Sequence, residues 1–268
     1  RWESASPVGN GYTGAMIFGG VMTDRIQLTE EKIWSSKKHA GAPKDFKDKI
    51  KRLQELLLED KPGGADEFAA DALKDSFEKI CSQETAGDLY IDFDGSDSDV
   101  TDYRRELDLL HGVSRVSFTK DGEKIVRETF ASYLDRVIVS KHTGCHSAAV
   151  RYSRRDIHPT HRYDGDRCMI DTEAGELVGV ESLTINGNVM TVKAHPATGG
   201  HPFTVKISVT TDGKLTSDGK SFRIENASAT EYRIAIQTGG EPVIPDDDYE
   251  TLKKRSGDDF ASQMGKSD

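Results

Sequence analysis

Residues 203–210, Phe203-Thr204-Val205-Lys206-Ile207-Ser208-Val209-Thr210, alternate apolar and polar side chains without a break. A period of two places the four apolar groups on one sheet face, which predicts a half-buried antiparallel strand. The same signal marks Val113 to Phe118, Ile125 to Tyr133, Val137 to Val139, Ala149 to Tyr152, Leu183 to Ile185, Val189 to Val192, Phe222 to Ile224 and Tyr232 to Ile236. Near the N-terminus, Ala15 to Phe18 and Arg25 to Leu28 are short strand-like runs bounded by glycines. Asp121-Gly122, Asn186-Gly187, Asp212-Gly213 and Asp218-Gly219 are dipeptides that supply positive φ for tight hairpins. Many short strands joined by such turns predict a mainly β chain folded as a large antiparallel β-sandwich, a super-sandwich. No βαβ alternation is visible, which removes doubly wound and (β/α)8 readings.

The period changes in two places. Phe46, Ile50, Leu53, Leu56 and Leu57 fall three or four apart, which predicts an amphipathic helix ending near Pro62-Gly63-Gly64. A second helix, roughly 65–79, follows with Phe68, Ala72, Leu73 and Phe77 on one side, so residues 43–80 read as a helical insertion in the β domain. After Pro242 the acidic break Pro245-Asp246-Asp247-Asp248 leads to a thin helical pattern at Tyr249, Leu252, Phe260 and Met264. The expected organisation is a sandwich over 1–240 and a helical linker over 241–268.

The 268 residues carry a net charge of −10 and no basic stripe, which argues against nucleic acid as a partner. The longest apolar stretch, Gly14 to Met22, is about half of the ~20 residues a membrane helix needs, so no membrane span is expected. Cys81, Cys145 and Cys168 are widely spaced and read as three buried free thiols, with one disulfide and a leftover thiol as the alternative, rather than a zinc knuckle or a redox dithiol. The chain opens at Arg1-Trp2 without a methionine, so a preceding segment is compatible with it. The sequon Asn226-Ala227-Ser228 lies between strand signals.

His142 with His146 and His158 with His161 have metal-like separations, but a strand or loop does not turn such a pair to one side as a helix does. No metal and no cofactor is expected. Gly9-Asn10-Gly11-Tyr12-Thr13-Gly14 follows no strand that leads into a helix, so its glycines read as turn residues rather than a phosphate cradle.

The first 35 residues carry a more specific pattern. Trp2, Pro7 to Gly11, Gly14 to Met16, Leu28 to Glu30 and Trp34-Ser35 occur in order, followed by Gly87-Asp88-Leu89-Tyr90-Ile91-Asp92-Phe93, Tyr103-Arg104-Arg105-Glu106-Leu107-Asp108-Leu109 and Arg127-Glu128-Thr129-Phe130-Ala131-Ser132-Tyr133. This order resembles the N-terminal domain of glycoside hydrolase family 95, the α-L-fucosidase family. Thr29 stands where that family's pattern has Asn and Leu134 where a Pro is usual, and Ser35-Ser36-Lys37-Lys38 lacks the usual Gly-rich continuation.

The resemblance implies a β-sandwich joined through helices to an (α/α)6 barrel of the same polypeptide, with an inverting mechanism carried by acids of that barrel. The chain would then be non-catalytic by itself, with no catalytic residue to assign in it. The whole protein would act on fucosylated oligosaccharides in a secreted or periplasmic setting. An α-L-galactosidase of the same family and a stand-alone carbohydrate-binding module are the alternatives. Glycoside hydrolysis uses two carboxyl groups about 5–9.5 Å apart across the scissile bond. Asp88, Asp92 and Asp94 come nearest by spacing, and alternation makes them a solvated strand face. Trp2, Asn10, Glu30 and Trp34 are the candidates for the substrate rim or a domain interface, since aromatic faces, amides and carboxylates hold sugars and tryptophans also pack interfaces.

Overall fold

The computed structural model describes residues 2–34, 45–59, 62–72, 83–154, 162–164, 167–169, 177, 179–196 and 199–264. A 3-10 turn at Trp2–Ser4 precedes β1 (Ser6–Gly9), β2 (Thr13–Ile17) and β3 (Thr23–Glu30). Helices α1 (Phe46–Leu58) and α2 (Pro62–Ala72) follow, then β4 (Gly87–Phe93), β5 (Val100–Asp108), β6 (Val113–Lys120), β7 (Glu123–Ser132) and β8 (Val137–Ser153). A short hairpin, β9 (Arg162–Asp164) and β10 (Arg167–Met169), leads to β11 (Val180–Asn186), β12 (Val189–Ala194), β13 (Phe203–Thr211), β14 (Lys214–Ser217) and β15 (Ser221–Thr238). Helix α3 (Tyr249–Met264) ends the described chain.

Among the described residues all strand pairings are antiparallel, with one isolated parallel bridge between Arg154 and Leu177, and the register divides the strands into two leaves. One leaf runs β1-β2-β3-β4, then the second half of β8, the first half of β15, and β14. The other runs β5-β6-β7, then the first half of β8, the second half of β15, and β13-β12-β11. Thus β8 and β15 each cross from one leaf to the other. The sequence pattern split each of them into two strands, because Thr143 to Ser147 and Glu225 to Ala229 break the alternation. Those interruptions are the bends: Gly144 has φ 106°, Asn226 has φ 54°, and the β15 register shifts on both sides of Ala227. Asp212 satisfies the bulge by accepting from the backbone N–H groups of Ser228 and Ala229, both at 2.9 Å.

The leaves share one core, in which Ile26, Leu28, Leu89, Ile91 and Val150 meet Met190, Val192, Val205, Ile207 and Ile234. A β-sandwich is therefore the observed fold. A smaller cluster covers the outside of the second leaf, where Phe130, Val137, Val139 and Ala235 pack under Tyr249 and Leu252 of α3. This explains the unbroken apolar run Val137-Ile138-Val139, since β8 is buried on both faces there.

Helix α3 is also fastened by charge. Glu128 accepts from Tyr249 Oη at 3.0 Å, from Lys253 Nζ at 2.8 Å and from Arg115 Nε at 2.8 Å. Burial alone would raise its carboxyl pKa, but these donors outweigh it and hold the value at about 2, against an ordinary 4.5. A depressed carboxylate pKa contributes stability above the unfolded value that is lost as pH falls toward the folded one. Amide exchange in α3 should therefore accelerate between about pH 4.5 and 2, and Glu128→Gln should show the loosened helix already at pH 7. Protection of α3 that does not vary over this range would remove the account.

Several expectations need correction. Helix α1 ends at Leu58, near Pro62-Gly63-Gly64 as expected, but α2 starts at Pro62 rather than Ala65, since proline's fixed φ and missing N–H suit the first turn. Helix α1 buries no residue completely, and Leu57 is exposed. Gly213 lacks a positive φ, whereas Asp121, Gly122, Gly187 and Gly219 have one. Cys145 is an exposed free thiol, not a buried one; Cys81, His158 and His161 lie outside the described residues, and of the Cys168 side chain nothing is described. Among the described residues no helix is long and apolar enough to cross a membrane.

Candidate functional site

The ordered motif blocks turn out to hold one another. Tyr103 Oη donates to the carbonyl of Gly19 at 2.8 Å, and Arg105 donates to that of Phe18 at 2.7 Å. Buried Arg127 donates to the carbonyls of Gly20 at 2.6 Å and Val21 at 2.9 Å and pairs with Asp24 at 3.5 Å. These side chains clamp the β2–β3 loop of one leaf from the other leaf.

Asn10 does the same for the β1–β2 turn. Its Oδ1 accepts from the N–H groups of Tyr12 at 3.0 Å and Thr13 at 2.8 Å, and its Nδ2 donates to the carbonyl of Ser132 at 2.7 Å. The amide is thereby committed inside the protein and pins the turn to the end of β7. The turn carries Tyr12 against Tyr133, with ring centroids 5.7 Å apart. The guanidinium of Arg136 lies 4.2 Å from the Tyr12 ring centroid, a cation–π geometry.

Glu30 ends β3 pointing inward and is buried. Its Oε2 accepts from Thr238 Oγ1 at 2.5 Å and from the N–H of Lys32 at 2.9 Å. With Tyr12, Lys32, Arg136, Gln237 and Thr238 it lines a cleft of about 250 Å³. On the other side of Tyr133 a more apolar cavity of about 510 Å³ opens between β1 and the β5–β6 turn, lined by Val8, Gly9, Asn10, Leu107, Leu109 and His111.

The larger opening carries exposed apolar side chains, whereas the smaller cleft is mostly polar with Val243 at its edge. Leu109 is 76% and Leu134 59% exposed, and Leu110, Tyr133 and Val243 are also exposed. Nothing in the sequence marked these residues, because a turn has no periodicity to violate, and Tyr133 reads there as the end of a strand. Helix α3 runs toward the same end: Arg255 pairs with Asp135 at 3.3 Å, and Ser256 lines the larger cavity.

The structure thus brings Asn10 and Glu30 to the two sides of Tyr12 but leaves the tryptophans elsewhere. Trp2 donates to Gln27 Oε1 at 2.6 Å, and Gln27 faces outward from β3 where Glu30 faces inward. Trp34 donates to the carbonyl of Glu31 at 2.7 Å and bridges to Gln83. Both indoles are about half exposed with their N–H groups already bonded.

The three aspartates of β4 and its end are arginine-paired. Asp88 meets Arg25 at 2.7 Å, Asp92 meets Arg151 at 2.7 Å, and Asp94 meets both terminal nitrogens of Arg223. Asp88 is buried, so this face is not solvated throughout as alternation suggested. The Arg223 hydrogen bonds hold the Asp94 carboxyl below its ordinary pKa, which suits an ion pair and not a general acid. His142 is buried against Phe93 and Tyr232, while His146 contacts the carbonyl of Gly144 at 2.7 Å and Thr230 Oγ1 at 2.8 Å. Among the described residues no three His, Cys, Asp or Glu side chains converge as metal ligands.

A family model described as "Glycosyl hydrolase family 65, N-terminal domain" matches residues 1–241. "Alpha-L-fucosidase 2" of Arabidopsis thaliana is 36% identical over 148 residues, 53% of this chain and 17% of its own length. "Probable alpha-fucosidase A" of Aspergillus niger is 30% identical over 143 residues, 51% of this chain and again 17% of its own length. The matched stretch thus spans about a sixth of each of these relatives. A solved structure, "Putative kojibiose phosphorylase from human microbiome", superimposes with a TM-score of 0.53 at 11% identity, covering 95% of this chain and 35% of that one. At that identity the likeness shows the fold alone.

Proposed function

The chain belongs to the family of glycosyl hydrolase family 65 N-terminal domains, and on that premise we propose that it is the non-catalytic β-sandwich of a family 95 α-L-fucosidase. The matched family carries the number 65, but the ordered blocks from Trp2 to Tyr133 resemble the family 95 pattern, and the two relatives named above bear fucosidase names. In this reading an (α/α)6 barrel of the same polypeptide performs the hydrolysis of fucosylated oligosaccharides, in a secreted or periplasmic setting.

The observation that carries the docking role is the set of exposed apolar side chains on two turns, Leu109, Leu110, Tyr133 and Leu134, of which Leu109 and Tyr133 line the larger cavity and Leu134 faces helix α3. Exposed apolar surface of this kind marks an interaction site. The site residues Asn10 and Glu30 support that end from within: Asn10 fixes the turn that bears Tyr12, and Glu30 closes the floor of the smaller cleft. Asp88, Asp92 and Asp94, the acids that come nearest to such a pair by spacing, are each tied to an arginine, which argues against them as a hydrolytic pair.

The purified 268-residue chain should release no L-fucose from a fucosyl-α1,2-galactoside in an NMR time course, while the full-length protein should release the β-anomer first. Release of β-L-fucose by the chain alone would put the active site in the sandwich and end this reading. Saturable glycan binding without turnover would instead favour a carbohydrate-binding module, which the half-exposed Trp2 and Trp34 rings support.

A further inference from the structure

We propose that Arg136 is the polar anchor of the docking surface, a guanidinium held ready for a carboxylate on the domain that follows in the same polypeptide. The inference rests on the docking reading above and adds the chemistry of the partner's contact.

Three observations converge on this arginine. First, Arg136 closes the four-residue turn between Ser132 and Val137 with φ 52°, a left-handed conformation that favours glycine and disfavours a long side chain. Strain of this sort persists where surrounding structure enforces it and gathers at functional positions. Second, the guanidinium has an aromatic support but no anion. Among the described residues its one ring or charge interaction is with Tyr12, whose ring centroid lies 4.2 Å away, and the carboxylates nearby are engaged elsewhere. Asp135 accepts from Ser132 Oγ at 2.5 Å and pairs with Arg255 at 3.3 Å, while Glu30 accepts from Thr238 and Lys32. Third, Arg136 lines the 250 Å³ cleft with exposed Val243, and exposed Leu134 lies two residues before it in the same turn, so a partner's apolar contact at this turn would remove water from around the guanidinium. A planar, preorganised guanidinium in such a setting matches a carboxylate through two parallel hydrogen bonds.

The occupant follows from the course of the chain. Helix α3 passes Asp135 with Arg255 and borders the larger cavity with Ser256, so it delivers whatever follows it to this end of the sandwich. The relatives extend far beyond the matched sixth of their length. An acidic side chain on the docked domain would complete the pairing that the sandwich leaves open.

The test compares Arg136→Gly and Leu134→Asp. In the 268-residue chain, Arg136→Gly should melt no lower than wild type, because glycine relieves the left-handed strain. In the full-length protein, both variants should speed limited proteolysis within 241–248, Arg136→Gly by about tenfold, as expected for loss of one charge-assisted contact. Arg136→Lys should recover part of the protection, since it returns the charge without the fork. If Leu134→Asp speeds cleavage and Arg136→Gly does not, docking stands and the anchor falls. If neither does, the docking reading itself fails. A lowered melting temperature of the isolated Arg136→Gly chain would make the arginine a structural residue and overturn the inference.

Discussion

Arg154→Leu should destabilise the domain by about 3–5 kcal/mol, the range for removing one partner of a buried ion pair. Arg154 is fully buried and Glu84 nearly so, with Nη2 and Oε2 2.6 Å apart. The same guanidinium donates to the carbonyls of Thr85 and His195, each at 3.1 Å. One side chain therefore fastens the end of β8 to the segment entering β4 and to the segment leaving β12. Leucine would take the guanidinium from the buried Glu84 carboxylate and a donor from two carbonyls, and the loss at the carboxylate dominates. Chemical denaturation should show the midpoint fall with the slope unchanged. Replacing both partners, Arg154→Leu with Glu84→Leu, should recover most of the loss. A single-variant cost below about 1 kcal/mol, the worth of an exposed pair, would show that water reaches the site.

Gly87→Ala should cost about 3 kcal/mol or more. Gly87 opens β4 with φ 110°, where an L side chain is strained, and an added Cβ would lie 2.3 Å from Tyr152 Oη and 2.4 Å from its Cζ. Tyr152 cannot step aside easily, because its ring belongs to the shared core and its hydroxyl donates to the carbonyl of Ala86. Overpacking and backbone strain therefore add. Combining Gly87→Ala with Tyr152→Leu should be markedly less destabilising than the sum of the two, since the second change removes the overlap. Strict additivity in that cycle, measured by thermal unfolding, would place the cost in the backbone alone.

Much of this molecule is legible along the chain. The alternation at 203–210 became β13, with Phe203, Val205, Ile207 and Val209 all buried as the period required. Asp121-Gly122 supplied its hairpin with both residues at positive φ. What the pattern concealed were the long strands, because the polar bends at 143–147 and 225–229 look locally like turns. They are bends within β8 and β15 only because the two leaves face each other across a common core.

The candidate site divides in the same way. Glu30 was recognisable as an unusual residue, and alternation with Ile26 and Leu28 turns it inward. That it meets Thr238, 208 residues away, depends on how β3 lies over β15. Asn10 was legible as a turn residue, but its hold on Ser132 comes from the second leaf. The exposed rim and the Tyr12–Arg136 contact gave no sequence signal, since turns carry no period and Arg136 sits at an unmarked φ of 52°.

By itself, then, the sequence determined the strand period, most of the turn sites and the helical pattern at 46–58, all of which depend on neighbours within a few residues. The tertiary structure alone decided which turns share an end, which carboxylates find an arginine, and which apolar side chains stay in water. Those outcomes depend on contacts such as Arg127 to Gly20, 107 residues apart, whose geometry exists only after the two leaves have closed.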